Sequence, residues 1–179
     1  MAALAFDARG HGHSQGDFGP TAFSDVLQMV ELMREHTPHV ALRGSSMGGF
    51  QALHAGAIAD PPVAAVVAIC PATEELLLRG VRSERPMDFR MDPKQMEPWL
   101  ETLDMRRAVG SLAGKTAVMF MHAQGDEVVP YTISEELYLV AGEPKRLLIL
   151  PGGHHRSLQH DGEMQAETIR FIQRSLSRS

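Results

Sequence analysis

The sequence predicts an α/β protein with a mostly parallel sheet flanked by helices, and three observations carry that expectation. Apolar runs suited to strands alternate along the chain with segments whose apolar residues recur at helical spacing. One run, Val63 to Cys70, is apolar at eight consecutive positions, as a strand covered on both faces must be. Three loops that follow such runs each carry a different reactive side chain, and the C-terminal strand ends of an open sheet converge on one crevice.

A chain of 179 residues fits one domain, 1–179, and is long enough to bury roughly 70% of its unfolded surface. With 22 acidic residues, 17 Lys and Arg, a net charge of −5 and no basic run, it offers no surface for nucleic acid or an anionic membrane. A small-molecule substrate fits that balance. The single cysteine, Cys70, excludes an intrachain disulfide and suits a reducing compartment. Met1 to Phe6 is too short for a secretory core and lacks a basic lead, and no stretch approaches the ~20 apolar residues of a membrane span. The expectation is a soluble cytoplasmic protein.

In chain order, Ala2 to Phe6 reads as a buried strand closed by the glycine-rich loop Asp7 to Gly16. No helix opens directly from that loop, so its glycines are no dinucleotide fingerprint. From Thr21 to about Glu35, Phe23, Val26, Val30 and Met33 mark an amphipathic helix that Thr21 can cap and Pro38 ends. Val40 to Leu42 suits a strand. It runs into Arg43-Gly44-Ser45-Ser46-Met47-Gly48-Gly49, followed by the helix-suited Phe50 to Ala55. This is the strand, Gly-x-Ser-x-Gly and helix order of a nucleophile elbow, with small residues two positions either side of Ser46.

Asp60-Pro61-Pro62 breaks the chain before the Val63 to Cys70 strand. Pro71 to Lys115 (71–115) reads as a helical, cap-like insertion, with Leu76 to Leu78, a charged piece bearing Arg79, Arg82, Glu84 and Arg85, and a segment around Met87, Met91, Met96 and Trp99. Thr116 to His122 is a further strand ending at Gln124-Gly125-Asp126. Thr132-x-x-Glu135 reads as a capping box opening a helix to about Ala141. Arg146 to Leu150 is the last strand, Gly152-Gly153-His154-His155 follows it, and Asp161 to Ser175 closes the chain as a helix.

Ser46, Asp126 and His154 or His155 thus follow three strands, in the order Ser, Asp, His. A serine hydroxyl needs a base within hydrogen-bond reach, histidine suits that work at neutral pH, and a carboxylate must orient the imidazole. The helix behind Ser46 would aim its first free N–H groups, that of Met47 among them, at a developing oxyanion. His154 competes with His155 for the base, Glu127 with Asp126 for the acid, and Ser45 for the nucleophile would break the glycine spacing. His11-x-His13 and His154-His155 lack a third ligand with zinc spacing, so neither a metal nor a cofactor is expected. Cys70 reads as a small buried hydrophobe.

Four stretches resemble the α/β-hydrolase fold family, nearest its lipase- and esterase-like serine hydrolases. Phe6-Asp7-x-Arg9-Gly10-x-Gly12-x-Ser14 is similar to the loop before the family's first large helix, and Gly44-x-Ser46-x-Gly48 to its elbow. His122-x-x-x-Asp126-x-x-Val129-Pro130 is similar to the acid loop and Pro151-Gly152-x-x-His155 to the histidine loop. The resemblance implies a Ser46, His155 and Asp126 triad, with His155 favoured by the Pro-Gly-x-x-His spacing, and Met47 as an oxyanion donor. It further implies an ester substrate with a short acyl or aryl group, no cofactor, and a cap at 71–115. Against the family pattern the first strands are missing, together with the loop that supplies the second oxyanion donor. Three resolutions are open: the chain is a fragment whose missing part was lost, the Ala2 to Asp7 strand shifts beside the Ser46 strand and carries loop Ala8 to Gly16 toward the oxyanion, or a second subunit covers the open strand edge, and the expectation is a homodimer.

Overall fold

Four strands form one parallel sheet in the computed structural model, which describes residues 1–83 and 88–177: β1 (Ala41–Ser45), β2 (Ala65–Ile69), β3 (Ala117–Ala123) and β4 (Lys145–Leu150), in that spatial order. Parallel neighbours need a crossover, and each strand is joined to the next through helix. Helix α1 (Ala22–Arg34) precedes β1, and α2 (Met47–Ile58) joins β1 to β2. Helices α3 (Glu74–Arg82), α4 (Pro93–Glu101) and α5 (Met105–Ser111) lie between β2 and β3, and α6 (Thr132–Val140) joins β3 to β4. The chain then runs through α7 (Ser157–His160) and α8 (Gly162–Leu176).

The two-residue period of a strand divides the core in two. Val66, Ala68, Val118 and Phe120 point to the face covered by α1, α2, α5 and α6. Val67, Ile69, Met119 and Met121 point to the other, where Leu158 of α7 and Ile172 of α8 cover them. Residues of β2 and β3 are buried throughout, so the unbroken apolar run at 63–70 is a strand covered on both sides, as expected. Burying one such Phe or Ile side chain contributes about 1.5–3 kcal/mol. The register sets Ser45 beside Ile69, Ile69 beside Met121 and Met121 beside Leu148, so the strand ends are level and the loops leaving them share one rim.

Several local expectations fail. Ala2 to Phe6 forms no strand and is exposed, because an extended pentapeptide is held only by a ladder partner, and none is present among the described residues. The outer edge of β1 is likewise unpaired there, so the expected shift of that segment beside β1 does not occur. Thr21 stands at the N-cap of α1 in helical backbone geometry and makes no side-chain cap bond. Thr132 is inside α6 rather than at its cap. Pro130 and Tyr131 wind the entry as a tight turn, with Ile133 N–H donating to the Pro130 carbonyl, and no capping box forms. The caps that do form are Thr73, Asp92, Asp104 and Asp161, each accepting from an N–H of the first turn.

Within the expected insertion α3 packs on α4, while α5 packs on α2 and α6 in the helical layer of the sheet. Glu84, Arg85 and Met87 lie outside the described residues.

Candidate active site

Ser46 sits where β1 turns into α2, with φ 52° and ψ −114°, a left-handed φ that a non-glycine residue rarely adopts. Three hydrogen bonds hold it there. Its N–H donates to the Ile69 carbonyl at 2.8 Å, and its carbonyl accepts from Phe50 N at 3.0 Å and Ala72 N at 3.1 Å. The turn is tight enough that a Cβ on Gly44 would stand 2.0 Å from the Gly48 carbonyl oxygen, whereas a Cβ on Gly48 would meet nothing within 4 Å. Only the first of the two flanking glycines is therefore demanded by packing. The first N–H groups of α2, including that of Met47, have no carbonyl four residues back and lie at the positive end of the helix dipole.

Two strands away, Asp126 follows β3 in a turn closed by its own N–H on the Ala123 carbonyl. The loop that bears it presses against the loop after β4: Gln124 N–H donates to Leu150 O, Gly125 N–H to Gly152 O, and a Cβ on Gly125 would stand 2.4 Å from Gly153 O. This close approach brings His155 to Asp126. Asp126 Oδ1 accepts from Val128 N and Val129 N, each at 2.8 Å, and Oδ2 lies 2.7 Å from His155 Nδ1. The Asp126 side chain is fully buried and that of His155 is 13% exposed. A carboxylate only accepts, so the proton between them belongs on Nδ1 and leaves His155 Nε2 as the basic nitrogen. Burial works to raise the Asp126 pKa, but the bonds from Val129 N–H, His155, Val128 N–H and the Cys70 thiol outweigh it and hold the carboxyl below its ordinary value.

The rivals separate cleanly. His154 is exposed; its N–H donates to Ser157 Oγ and its Nδ1 accepts from Arg156 N. Glu127 accepts the backbone N–H of His155 at 3.1 Å rather than its ring. Among the described residues Ser46 Oγ makes no hydrogen bond to His155, a contact that in unliganded sites is commonly long and tightens with substrate.

Cys70 is a small residue buried in the core, as expected. It ends β2 between Ser46 and Asp126, is fully buried, has φ 43°, and donates its N–H to Met121 O. Burial first, then the nearby Asp126 carboxylate, pushes its thiol up to about 12, so it stays a protonated thiol beside that carboxylate. Its place at a strand end was the only signal in the sequence. His122, Cys70 and Asp126 bring three donor atoms within 4.8 Å of one another, a possible metal trio among the described residues. The donor set does not fit an ion, because His122 Nε2 faces the Val129 carbonyl at 2.9 Å and must carry a proton there.

The glycine-rich N-terminal loop is pinned to its surroundings. Arg9 pairs with Asp25 of α1 through Nε at 2.8 Å and Nη2 at 2.7 Å. Arg90 N–H donates to Gly10 O, and His11 stacks on Phe89 at 4.8 Å. The N–H groups of His11, His13 and Ser14 are already bonded within the loop, to Ala8 O, Asp7 Oδ2 and His11 O. Those three donors are therefore not free for an oxyanion.

A parallel sheet clothed by helices on both faces, with a left-handed serine between the first strand and its helix and an Asp–His pair on the loops beyond, defines an α/β hydrolase fold. The chain has the α/β-hydrolase fold. Residues 1–87 match a family model described as serine aminopeptidase, S33. Over 171 residues the chain is 30% identical to the uncharacterized protein YqkD of Bacillus subtilis (strain 168), covering 85% of this chain and 55% of that one. Of the solved structures, the α/β hydrolase GrgF from a Penicillium species superposes with a TM-score of 0.77 at 19% identity, covering 96% of this chain and 78% of that one. A monoacylglycerol lipase from Paleococcus ferrophilus superposes at 0.68 and 20% identity, covering 98% and 83%. These structures bear on the fold alone. The chain spans little more than half the length of the first curated relatives it matches. Among the described residues no helix is long and apolar enough to cross a membrane.

Proposed function

We propose that the chain is a serine hydrolase that cleaves carboxylic esters through an acyl-enzyme on Ser46. The observation that carries this reading is the buried 2.7 Å bond from His155 to Asp126 on the rim that also bears a left-handed Ser46. His155 Nε2 takes the proton of Ser46 Oγ as it attacks the ester carbonyl, and Asp126 holds the ring and stabilises its charged form. The Met47 N–H donates to the oxyanion. Collapse returns the proton from His155 to the leaving alkoxide, leaving an acyl group on Ser46. Water, deprotonated by the same nitrogen, then releases the acid.

Within 71–115, α3 and α4 act as a small cap, which favours short acyl or aryl groups. The lone buried thiol suits a cytoplasmic location, and the open edge of β1 supports a homodimer. The serine aminopeptidase match favours a second reading in which the same triad cuts an aminoacyl bond; a thioester is equally within its chemistry, and a catalytically idle binding module is the reading from outside enzymology.

A panel of p-nitrophenyl acetate and butyrate, an acyl thioester and an aminoacyl p-nitroanilide separates these. The account expects kcat/KM to be highest for the esters. Preference for the anilide would move the assignment to peptidase, and no turnover of any member would favour the binding module.

A further inference from the structure

We propose that His122, braced by Ser134, is a positioning residue that holds the Asp126 carboxylate in register with His155. The inference rests on the triad reading above and adds to it a second, buried imidazole behind the acid. His122 and Ser134 are both wholly buried, in strand β3 and the first turn of α6. A buried polar ring is costly unless its nitrogens are paired, and a leucine would fill this core position without that cost. Here both nitrogens are paired.

Nδ1 lies 2.7 Å from Ser134 Oγ, and Nε2 lies 2.9 Å from Val129 O and 3.3 Å from Asp126 Oδ2. The Val129 carbonyl only accepts, so the proton sits on Nε2; Nδ1 is then a lone pair, and Ser134 must donate its O–H to it. Burial, the largest influence, holds the His122 pKa below its ordinary value, which keeps one nitrogen free to accept.

The consequence is a closed bracket. Val129 gives its carbonyl to His122 and its N–H to Asp126 Oδ1, so the strand, the acid loop and α6 are tied to one another around the carboxylate. The same Oδ2 that accepts from His155 lies 3.3 Å from His122 Nε2, whose proton goes to the Val129 carbonyl, and the Cys70 thiol lies beside the carboxylate. With one oxygen held by two backbone amides and the other bonded to His155 with His122 close behind, the carboxylate is kept facing His155. The Val129 carbonyl fixes the tautomer of His122 that does this, and Ser134 completes it by donating to Nδ1.

The test uses His122→Leu, His122→Gln and Ser134→Ala, each with two readouts. One is kcat and KM for p-nitrophenyl butyrate. The other is the far-downfield proton resonance of the His155 Nδ1–H on a buried carboxylate, assigned by its loss in His155→Ala. His122→Leu should lower kcat on the order of 10-fold, by analogy with outer partners of metal ligands, with KM unchanged, and broaden or abolish the resonance. Ser134→Ala should lower kcat about 3-fold and weaken the resonance. His122→Gln, which keeps an N–H at similar reach, should recover most of both. Should His122→Leu fail to fold, Ser134→Ala and His122→Gln carry the comparison. An active wild type whose Ser134→Ala and folded His122 variants keep full kcat and the resonance overturns the inference and leaves the ester reading intact. A wild type without esterase activity, whose resonance is still weakened in Ser134→Ala and lost in His122→Leu, does the reverse.

Discussion

Ser46→Ala will lower kcat for p-nitrophenyl butyrate by between about a thousandfold and a millionfold, with KM little changed. The size follows from what is removed. Without the hydroxyl there is no acyl-enzyme, and His155, Asp126 and the Met47 N–H can assist only a direct attack by water. The lower bound applies if the oxyanion is held mainly by Met47, since the three N–H groups bonded inside the N-terminal loop give it no help. The side chain is small and the turn is fixed by backbone bonds to Ile69, Phe50 and Ala72, so the variant should fold like the wild type. Rates compared at equal folded concentration, verified by circular dichroism, decide the matter. A loss of less than about tenfold would remove Ser46 from the chemistry.

Gly44→Ala will destabilise the protein by about 3 kcal/mol or more, lowering Tm by roughly 6–12 °C for a chain of this size. The new methyl group would stand 2.0 Å from the Gly48 oxygen and 2.1 Å from its carbon, both backbone atoms that cannot rotate away. Relief requires the elbow to open, so loss of activity should accompany the loss of stability. Gly48→Ala is the control. Its methyl group meets nothing within 4 Å, and alanine is the better helix former by about 1 kcal/mol, so its Tm should be equal or higher. Thermal unfolding of the two variants beside the wild type measures both, and equal Tm values for Gly44→Ala and the wild type would mean that the elbow is looser than described.

What was legible in the sequence was whatever is encoded locally. The 63–70 run announced a strand covered on both faces, the glycine pattern around Ser46 announced a sharp strand-to-helix turn, and the strand-then-loop pattern placed Asp126 and His155 on a common rim. The choice between His154 and His155 rested on spacing alone, and the fold supplies the geometry: the loops at Gly125 and Gly153 press together so that the second histidine faces Asp126. Expectations failed where the deciding partner is distant or where two local signals compete. Ala2 to Phe6 has the composition of a strand, but no neighbouring strand pairs with it. Thr132 has the spacing of a cap, but Pro130 and Tyr131 begin the turn before it. Ser134 carries no signal in the sequence at all, because its partner His122 lies on another element and the pair meets only when α6 closes on β3.

Reaction of the 179-residue protein with a fluorophosphonate probe, read by peptide mass spectrometry, tests the central claim most directly. Phosphonylation needs the same hydroxyl, base and oxyanion donors as acyl transfer but no knowledge of the substrate. One covalent adduct is expected, on Ser46, formed by the wild type and absent from Ser46→Ala. An unlabelled wild type, or an adduct carried by any other residue, would contradict it.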